Sequence, residues 1–428
     1  MSRVDEARRP AVPREVRLAS AAVFGVFLLS GVNFASWASR LPAVRDALDL
    51  SPERMGVLLL VGAFGSLLAL PLSGLIVERL GARRTVLGFA LLNAVGYGVA
   101  ALGVTLGEVL VVGVGLVLAG VGTGVWDAAM NLEGAVVEQR VGRTVMPRYH
   151  AGFSFGTMAA AGIAALAAWL HMPVQVHLPL VVVVSSFAVW ACVRRFLADP
   201  GTQQPDATPA DDGTTADPGS LAPRGARAAL GAWLEPRTLL IGLVVLAAAL
   251  TEGAANDWVS LAVVDGFGTT HATGAFGFAV FVTAMTAMRL FGTRLLDRYG
   301  RVVVLRLCAG LAGVGLLVFG LADQLWLALV GVVAWGMGAA LGFPVGMSAA
   351  SDDPLRAAQR VAVVSTIGYS AFLAGPPLLG LLAEHVGYRN ALLAILVPVV
   401  LGLLVTNAAR PLPRTAPDPH DDAPAPGV

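Results

Sequence analysis

The sequence predicts an all-α polytopic membrane protein with twelve transmembrane helices, and three observations predict it. Of its 428 residues, 56% are hydrophobic and 13% charged, roughly half the charged share of a soluble domain. The mean hydropathy is +0.75. Apolar runs long enough to cross a bilayer recur along the whole chain. A soluble fold of this length would need more polar surface than 29 basic and 28 acidic side chains can provide. Composition therefore excludes a soluble enzyme, a nucleic-acid binder, a disordered chain and a disulfide scaffold.

A spanning helix needs about 20 mostly apolar residues, because a rise of about 1.5 Å per residue has to cross about 30 Å. The first six runs are Leu18–Ala38, Met55–Val77, Thr85–Thr105, Val109–Leu132, Ala151–Leu170 and Val174–Val193. The second six are Thr238–Val264, Thr273–Leu295, Val302–Leu321, Leu325–Ala349, Val361–Ala383 and Ala391–Ala408. Valine runs such as Val181–Val184 favour strands, but backbone in lipid must satisfy itself, so helix wins. The first run follows Arg3, Arg8, Arg9, Arg14 and Arg17 as a signal peptide would. It is too long for one, and reads as an uncleaved first helix.

Arginine placement sets the expected orientation. With the N-terminus inside, the outer loops hold Arg40, Arg45, Arg54 and Arg389, and Arg289 lies within the eighth helix. The remaining 24 arginines fall on the cytoplasmic side, so both termini are expected there by the positive-inside rule. All 29 basic residues are arginine, which excludes a Walker A phosphate loop or a Schiff-base lysine. The net charge of +1 gives no polyanion signal. Cys192 and Cys308 lie in separate apolar stretches and form neither a disulfide framework nor a metal cluster.

The segment 197–236 is rich in Pro, Gly, Thr and Asp and cannot bury a core, so it reads as a flexible cytoplasmic linker. The expected organisation is a cytoplasmic arm at 1–17, a six-helix bundle at 18–196, this linker, a second bundle at 237–409 and a disordered cytoplasmic tail at 410–428. The halves share a signal. Glu78-Arg79-Leu80-Gly81 follows the second helix, and Asp297-Arg298-Tyr299-Gly300 follows the eighth. A tight turn can collect Arg and Gly by chance, but two copies in matching positions read as a parallel repeat.

The stretch from Gly74 through Glu78, Arg79, Gly81, Arg83 and Arg84 resembles the loop 2–3 motif of the major facilitator superfamily, with Glu78 for the usual Asp and Ala82 for an Arg. The second copy keeps Asp297, Arg298, Gly300 and Arg301 but has Thr293 where the motif begins with Gly. A narrower resemblance is to the fucose-permease-like branch, especially its YbjJ-like inner-membrane group. It is carried by Phe34-Ala-Ser-Trp37-Ala-Ser-Arg40-Leu-Pro42, Asp127-Ala-Ala-Met-Asn131-Leu-Glu133-Gly134 and His150-Ala-Gly-Phe-Ser154-Phe-Gly156. It continues in Glu252-Gly-Ala-Ala-Asn256-Asp257-Trp258 and in Gly368 through Gly375-Pro376-Pro377. The resemblance implies two six-helix bundles around a central cavity lined by helices one, four, seven and ten. It also implies a monomer in the cytoplasmic (inner) membrane that moves a small solute, without a cofactor, by alternating access. Glu78, Arg79, Gly81 and Arg84, with Asp297, Arg298 and Gly300, are then gating residues.

Ionisable side chains inside a bilayer are costly and are functional candidates. Helix four carries Asp127 and Asn131, with Glu138 beyond the membrane edge, on one stripe with Gly120 and Gly124. Proton-coupled transport needs a carboxylate that exchanges a proton near neutral pH, and an apolar cavity provides this by disfavouring the charged form. The competing reading of Asp127 is an inner-gate carboxylate paired with arginine. In the resembled branch, a helix-four acid is linked to protonation and a nearby Asn to sugar binding; these roles transfer to Asp127 and Asn131, and the branch's helix-one Asp corresponds to Asn33. Helix seven carries Glu252, a second proton site, with Asn256 on the same face. Arg40 and Asp257, near the outer ends of helices one and seven, suit an outer gate as an ion pair; the alternative is that each snorkels to water. Trp126 and Trp335 are deep enough to face a ligand, whereas Trp37 and Trp258 suit the interfacial belt. Arg289 is expected to snorkel.

Gly152-Phe-Ser154-Phe-Gly156 matches a nucleophile pattern but opens an apolar helix, so the glycines read as packing and the protein as no enzyme. Proton-coupled symport of a sugar, polyol or similar hydroxylated solute is favoured over proton-driven export of drugs or lipophilic metabolites. Drug antiporters of the resembled superfamily carry a Gly-Pro motif on helix five and often an Arg on helix four, and both are absent here. No metal is expected.

Overall fold

A computed structural model describes residues 12–142, 145–197, 231–353 and 356–412. Most of the arm, the linker and the tail expected from the sequence therefore lies outside the described residues. Helices account for all the regular secondary structure among the described residues. The first six spans are Arg14–Ala38, Pro52–Leu80, Ala82–Leu106, Val109–Val141, Met146–Trp169 and Val174–Val193. Span seven is Pro236–Phe267. Spans eight and nine run as one 51-residue helix, His271–Leu321, interrupted at Gly300 where φ is 75° and ψ 166°. Spans ten, eleven and twelve are Leu325–Ala350, Ala357–Val386 and Tyr388–Ala409. Each run read from the sequence is thus a helix, and most extend beyond the apolar part.

The repeat read in the sequence has a backbone counterpart. Gly81 has φ 77° and ψ 156°, close to the values at Gly300. This region is essentially restricted to glycine, since a Cβ would meet the flanking carbonyls. Both motif glycines therefore make the same sharp turn between consecutive spans.

Proline explains the two irregular spans. Span ten breaks between Leu325–Ala339 and Gly342–Ala350. Pro344 has no N–H to give the Ala340 carbonyl, so the ladder opens one turn before it. Pro398 likewise leaves the Ala394 carbonyl without a donor, and a 3-10 turn, Leu393–Ile395, tightens the backbone there. A short helix that was not expected, Leu41–Ala47, lies between spans one and two with Pro42 in its first turn. Its Leu41 and Val44 are buried, which pins it to the end of the bundle.

Span one packs against spans five and six, and span four against spans two and three. Span seven holds spans eleven and twelve in the second group of six. The groups meet where span two crosses span eleven and where span five crosses the kinked helix of spans eight and nine. Glycine permits the closest approaches. A Cβ on Gly120 would meet the Gly62 carbonyl, one on Gly156 the Leu28 carbonyl, and one on Gly338 the Ala312 backbone. The Gly152/Gly156 pair is thus a packing face on span one, with Ser154 buried at 3% exposure.

Candidate transport pathway

Asp127 stands about 27 Å along span four from Val109 and about 21 Å from its other end. It is nevertheless exposed, and its carboxylate lies within electrostatic range of Tyr369 on span eleven. It therefore faces the space between the two groups of spans. Among the described residues it forms no ion pair. Asn131 is half-buried and its Nδ2 donates to the Asp127 carbonyl oxygen at 2.8 Å. Glu138 is a local cap: its Oε2 accepts from the Val145 and Met146 N–H groups at 2.6 and 2.7 Å, holding the turn into span five.

Across the same space, Glu252 on span seven accepts both oxygens' hydrogen bonds from Arg289 Nη2 on span eight, at 3.1 and 3.0 Å. Arg289 Nε donates to the Ala340 carbonyl at 3.2 Å, the carbonyl that Pro344 leaves without a helical donor. One guanidinium thereby ties spans seven, eight and ten together. Arg289 therefore does not snorkel: pairing with an acid at similar depth costs less than reaching for water. His150 on span five is within electrostatic range of Arg289, which brings the first group of spans to the cluster. Asn256 and Asp257 are half-buried and make no side-chain hydrogen bond among the described residues.

Three expected solute contacts are buried elsewhere. Asn33 is 3% exposed and donates to Asn93 Oδ1 at 3.0 Å, while Asn93 donates to Thr123 Oγ1 at 3.0 Å. This knot joins spans one, three and four. Trp126 is 1% exposed in the core formed with Phe27 and Tyr149. Trp335 packs between Phe281 and Phe319 with ring centroids 5.5 and 5.9 Å away, and its Nε1 donates to the Thr251 carbonyl at 3.1 Å. Depth along the chain suggested ligand contact for both tryptophans; helix rotation turns them into the cores instead.

The expected Arg40–Asp257 gate is not formed. Arg40 turns into the first group of spans and donates from Nη2 to the Met172 carbonyl at 2.5 Å. The closure lies further along, beyond the expected pair. Arg45 Nη1 reaches Asp265 Oδ2 at 2.5 Å, His271 Nε2 meets Asp46 Oδ2 at 2.7 Å, and the Glu53 N–H donates to Glu384 at 3.2 Å. Each contact joins the two groups of spans, and the Gly56 and Gly380 backbones touch beside them. The short helix Leu41–Ala47 presents Arg45 and Asp46 to these partners. A Pro within Leu41-Pro42-Ala43-Val44-Arg45-Asp46, with apolar residues three apart, was the signal that could have revealed it. At the opposite end Glu78, Arg79, Arg84, Asp297 and Arg298 are exposed and form no ion pair among the described residues. The molecule is closed at the Leu41–Ala47 end.

Asp46 makes this closure pH-dependent. Burial pushes its carboxyl up, but hydrogen bonds from His271 and Arg45 outweigh that and hold it below the usual carboxylate range. A carboxyl lowered on folding stabilises fully above its unfolded value and loses that contribution as pH falls through the folded one. The stabilisation of the wild type over Asp46→Asn is expected to shrink as pH falls below the ordinary carboxylate value, about pH 4. A melting series in detergent through that pH checks it.

Twelve helices with ionisable groups facing a space that is shut at one end define a membrane transporter. The family model described as Major Facilitator Superfamily matches residues 241–427. The transporter y4wD of Sinorhizobium fredii is 32% identical over 87% of this chain and 96% of its own length. Membrane protein MosC of Rhizobium meliloti is 26% identical over 92% and 90%. The chain belongs to the major facilitator superfamily, as a transporter and not an enzyme. Its fold is similar to solved structures at low identity. The nucleoside transporter NupG superposes with a TM-score of 0.67 at 14% identity, covering 93% of this chain and 98% of that one. The E. coli fucose:proton symporter FucP gives 0.61 at 15% identity over 93% and 100%, and a D-xylose-proton symporter gives 0.68 at 14% over 92% and 97%.

Proposed function

We propose that the protein is a monomeric proton-coupled symporter that carries a sugar, a polyol or a similar hydroxylated solute into the cell across the cytoplasmic membrane. The observation that carries this reading is Asp127: a carboxylate deep in a span, turned to the space between the halves and, among the described residues, bound by no cation. Such a group can load a proton and give it up, which a paired carboxylate does less readily. Asn131 and Asn256 offer amide groups suited to hydroxyls, and Tyr369 adds a phenol on the facing span. Glu252 serves as the anchor of Arg289, so the proton cycle is assigned to Asp127. Two fold neighbours, a fucose:proton symporter and a D-xylose-proton symporter, agree with this chemistry.

The arginine bias assigns the Leu41–Ala47 end to the outside and both termini to the cytoplasm. The closed end is then the outer one, and the conformation is inward-facing. In the reverse state the turns carrying Glu78, Arg79 and Arg84, and Asp297 and Arg298, close the inner end, with Gly81 and Gly300 allowing the turns. The test is solute-driven proton movement in proteoliposomes. Adding fucose, xylose or a cyclic polyol outside is expected to alkalinise the outer medium. Proton movement driven only by lipophilic cations, in the export direction, would overturn the reading.

A further inference from the structure

Arg40 ends span one with 4% of its surface exposed. One of its nitrogens reaches the Met172 carbonyl, but Nε and Nη1 have no partner among the described residues. His177, near the start of span six and 2% exposed, lies within electrostatic range of Arg40. Neither of its ring nitrogens is hydrogen-bonded among the described residues. The hydroxyls of Ser36, one turn before Arg40, and of Ser39 are also buried and without partners among the described residues. No acid among the described residues acts on the guanidinium.

Buried polar groups are almost always hydrogen-bonded. Arginine cannot shed its charge, and a buried charge without a counter-charge is strongly unfavourable. We propose that Arg40, His177, Ser36 and Ser39 enclose a binding site for a small monovalent inorganic anion, chloride. The guanidinium supplies the charge and two donors, the serines supply hydroxyl donors, and His177 supplies a ring N–H in either tautomer. Near-complete burial favours a small ion over an organic one. Water could satisfy the same donors but would leave the arginine charge unbalanced. Arg40 directly precedes Leu41–Ala47, and Met172 belongs to the connection between spans five and six, so a bound ion steadies the element that carries Arg45 and Asp46.

Thermal unfolding of the purified full chain, titrated with sodium chloride against sodium gluconate at fixed ionic strength, tests the site. The wild type is expected to gain about 2–4 °C with saturation, and Arg40→Gln to lose the response. Should that variant fail to fold, a crystal structure of the wild type in sodium bromide replaces it. An anomalous peak within hydrogen-bond reach of Arg40 Nε and Nη1 supports the proposal. Either a chloride response unchanged in Arg40→Gln, or water alone beside Arg40 in the bromide structure, overturns it.

Discussion

Asp127→Asn is expected to abolish uptake driven by a pH gradient while leaving the protein folded and able to exchange solute for solute. The substitution keeps the volume of the side chain and can still hydrogen-bond. Among the described residues Asp127 holds no cation whose loss would leave a charge stranded, so its removal carries little structural cost. What disappears is the only property an amide cannot supply, the ability to bind and release a proton. Parallel measurements on reconstituted protein separate the two functions: accumulation of labelled solute under an imposed pH gradient, and counterflow without one. Accumulation should fall to background with counterflow retained. Accumulation at the wild-type rate would remove Asp127 from the proton cycle. Loss of both activities with an unchanged melting curve would make it a solute ligand instead.

Arg289→Leu is expected to cost more stability than Glu252→Gln, and the double variant less than the sum of the two. Removing Arg289 leaves the Glu252 carboxylate without its cation and the Ala340 carbonyl without a donor, at the point where Pro344 has already opened the span. Breaking a fully buried pair from one side costs about 3–5 kcal/mol. Here the two side chains are 31% and 20% exposed, and water screening lowers the expected coupling to about 1–3 kcal/mol. A double-variant cycle on thermal unfolding in detergent measures it. Strict additivity would mean that the pair contributes nothing and that Arg289 acts through Ala340 alone.

Much of the fold was legible from local features. Lipid leaves the backbone no partner but itself, so each apolar run had to be a helix, and Gly81 and Gly300 marked equivalent turns because no other residue tolerates their backbone angles. The candidate site was legible only in part. Asp127 and Asn131 could be placed on one face from their spacing. Glu252 was recognised as an intramembrane acid, but its partner is 37 positions away on another span, and no helical period links them. Arg40 and Arg45 are alike in sequence: both are arginines flanking the same connection. The short helix Leu41–Ala47 begins after the first and carries the second, so Arg40 turns inward and Arg45 points towards Asp265.

By itself, the sequence determined that the chain spans a membrane twelve times, that its halves repeat one motif, and that it belongs among these transporters. Those properties follow from residue-by-residue transfer into lipid and from backbone angles, which are local. Only the tertiary structure decided which polar groups meet. The rotation of the helices about their axes depends on contacts with neighbours far away in the chain, such as Gly120 against Gly62 and Gly156 against Leu28. That rotation buries Asn33, Trp126 and Trp335 in the cores, ties Arg289 to Glu252, and leaves Asp127 turned towards the space between the halves.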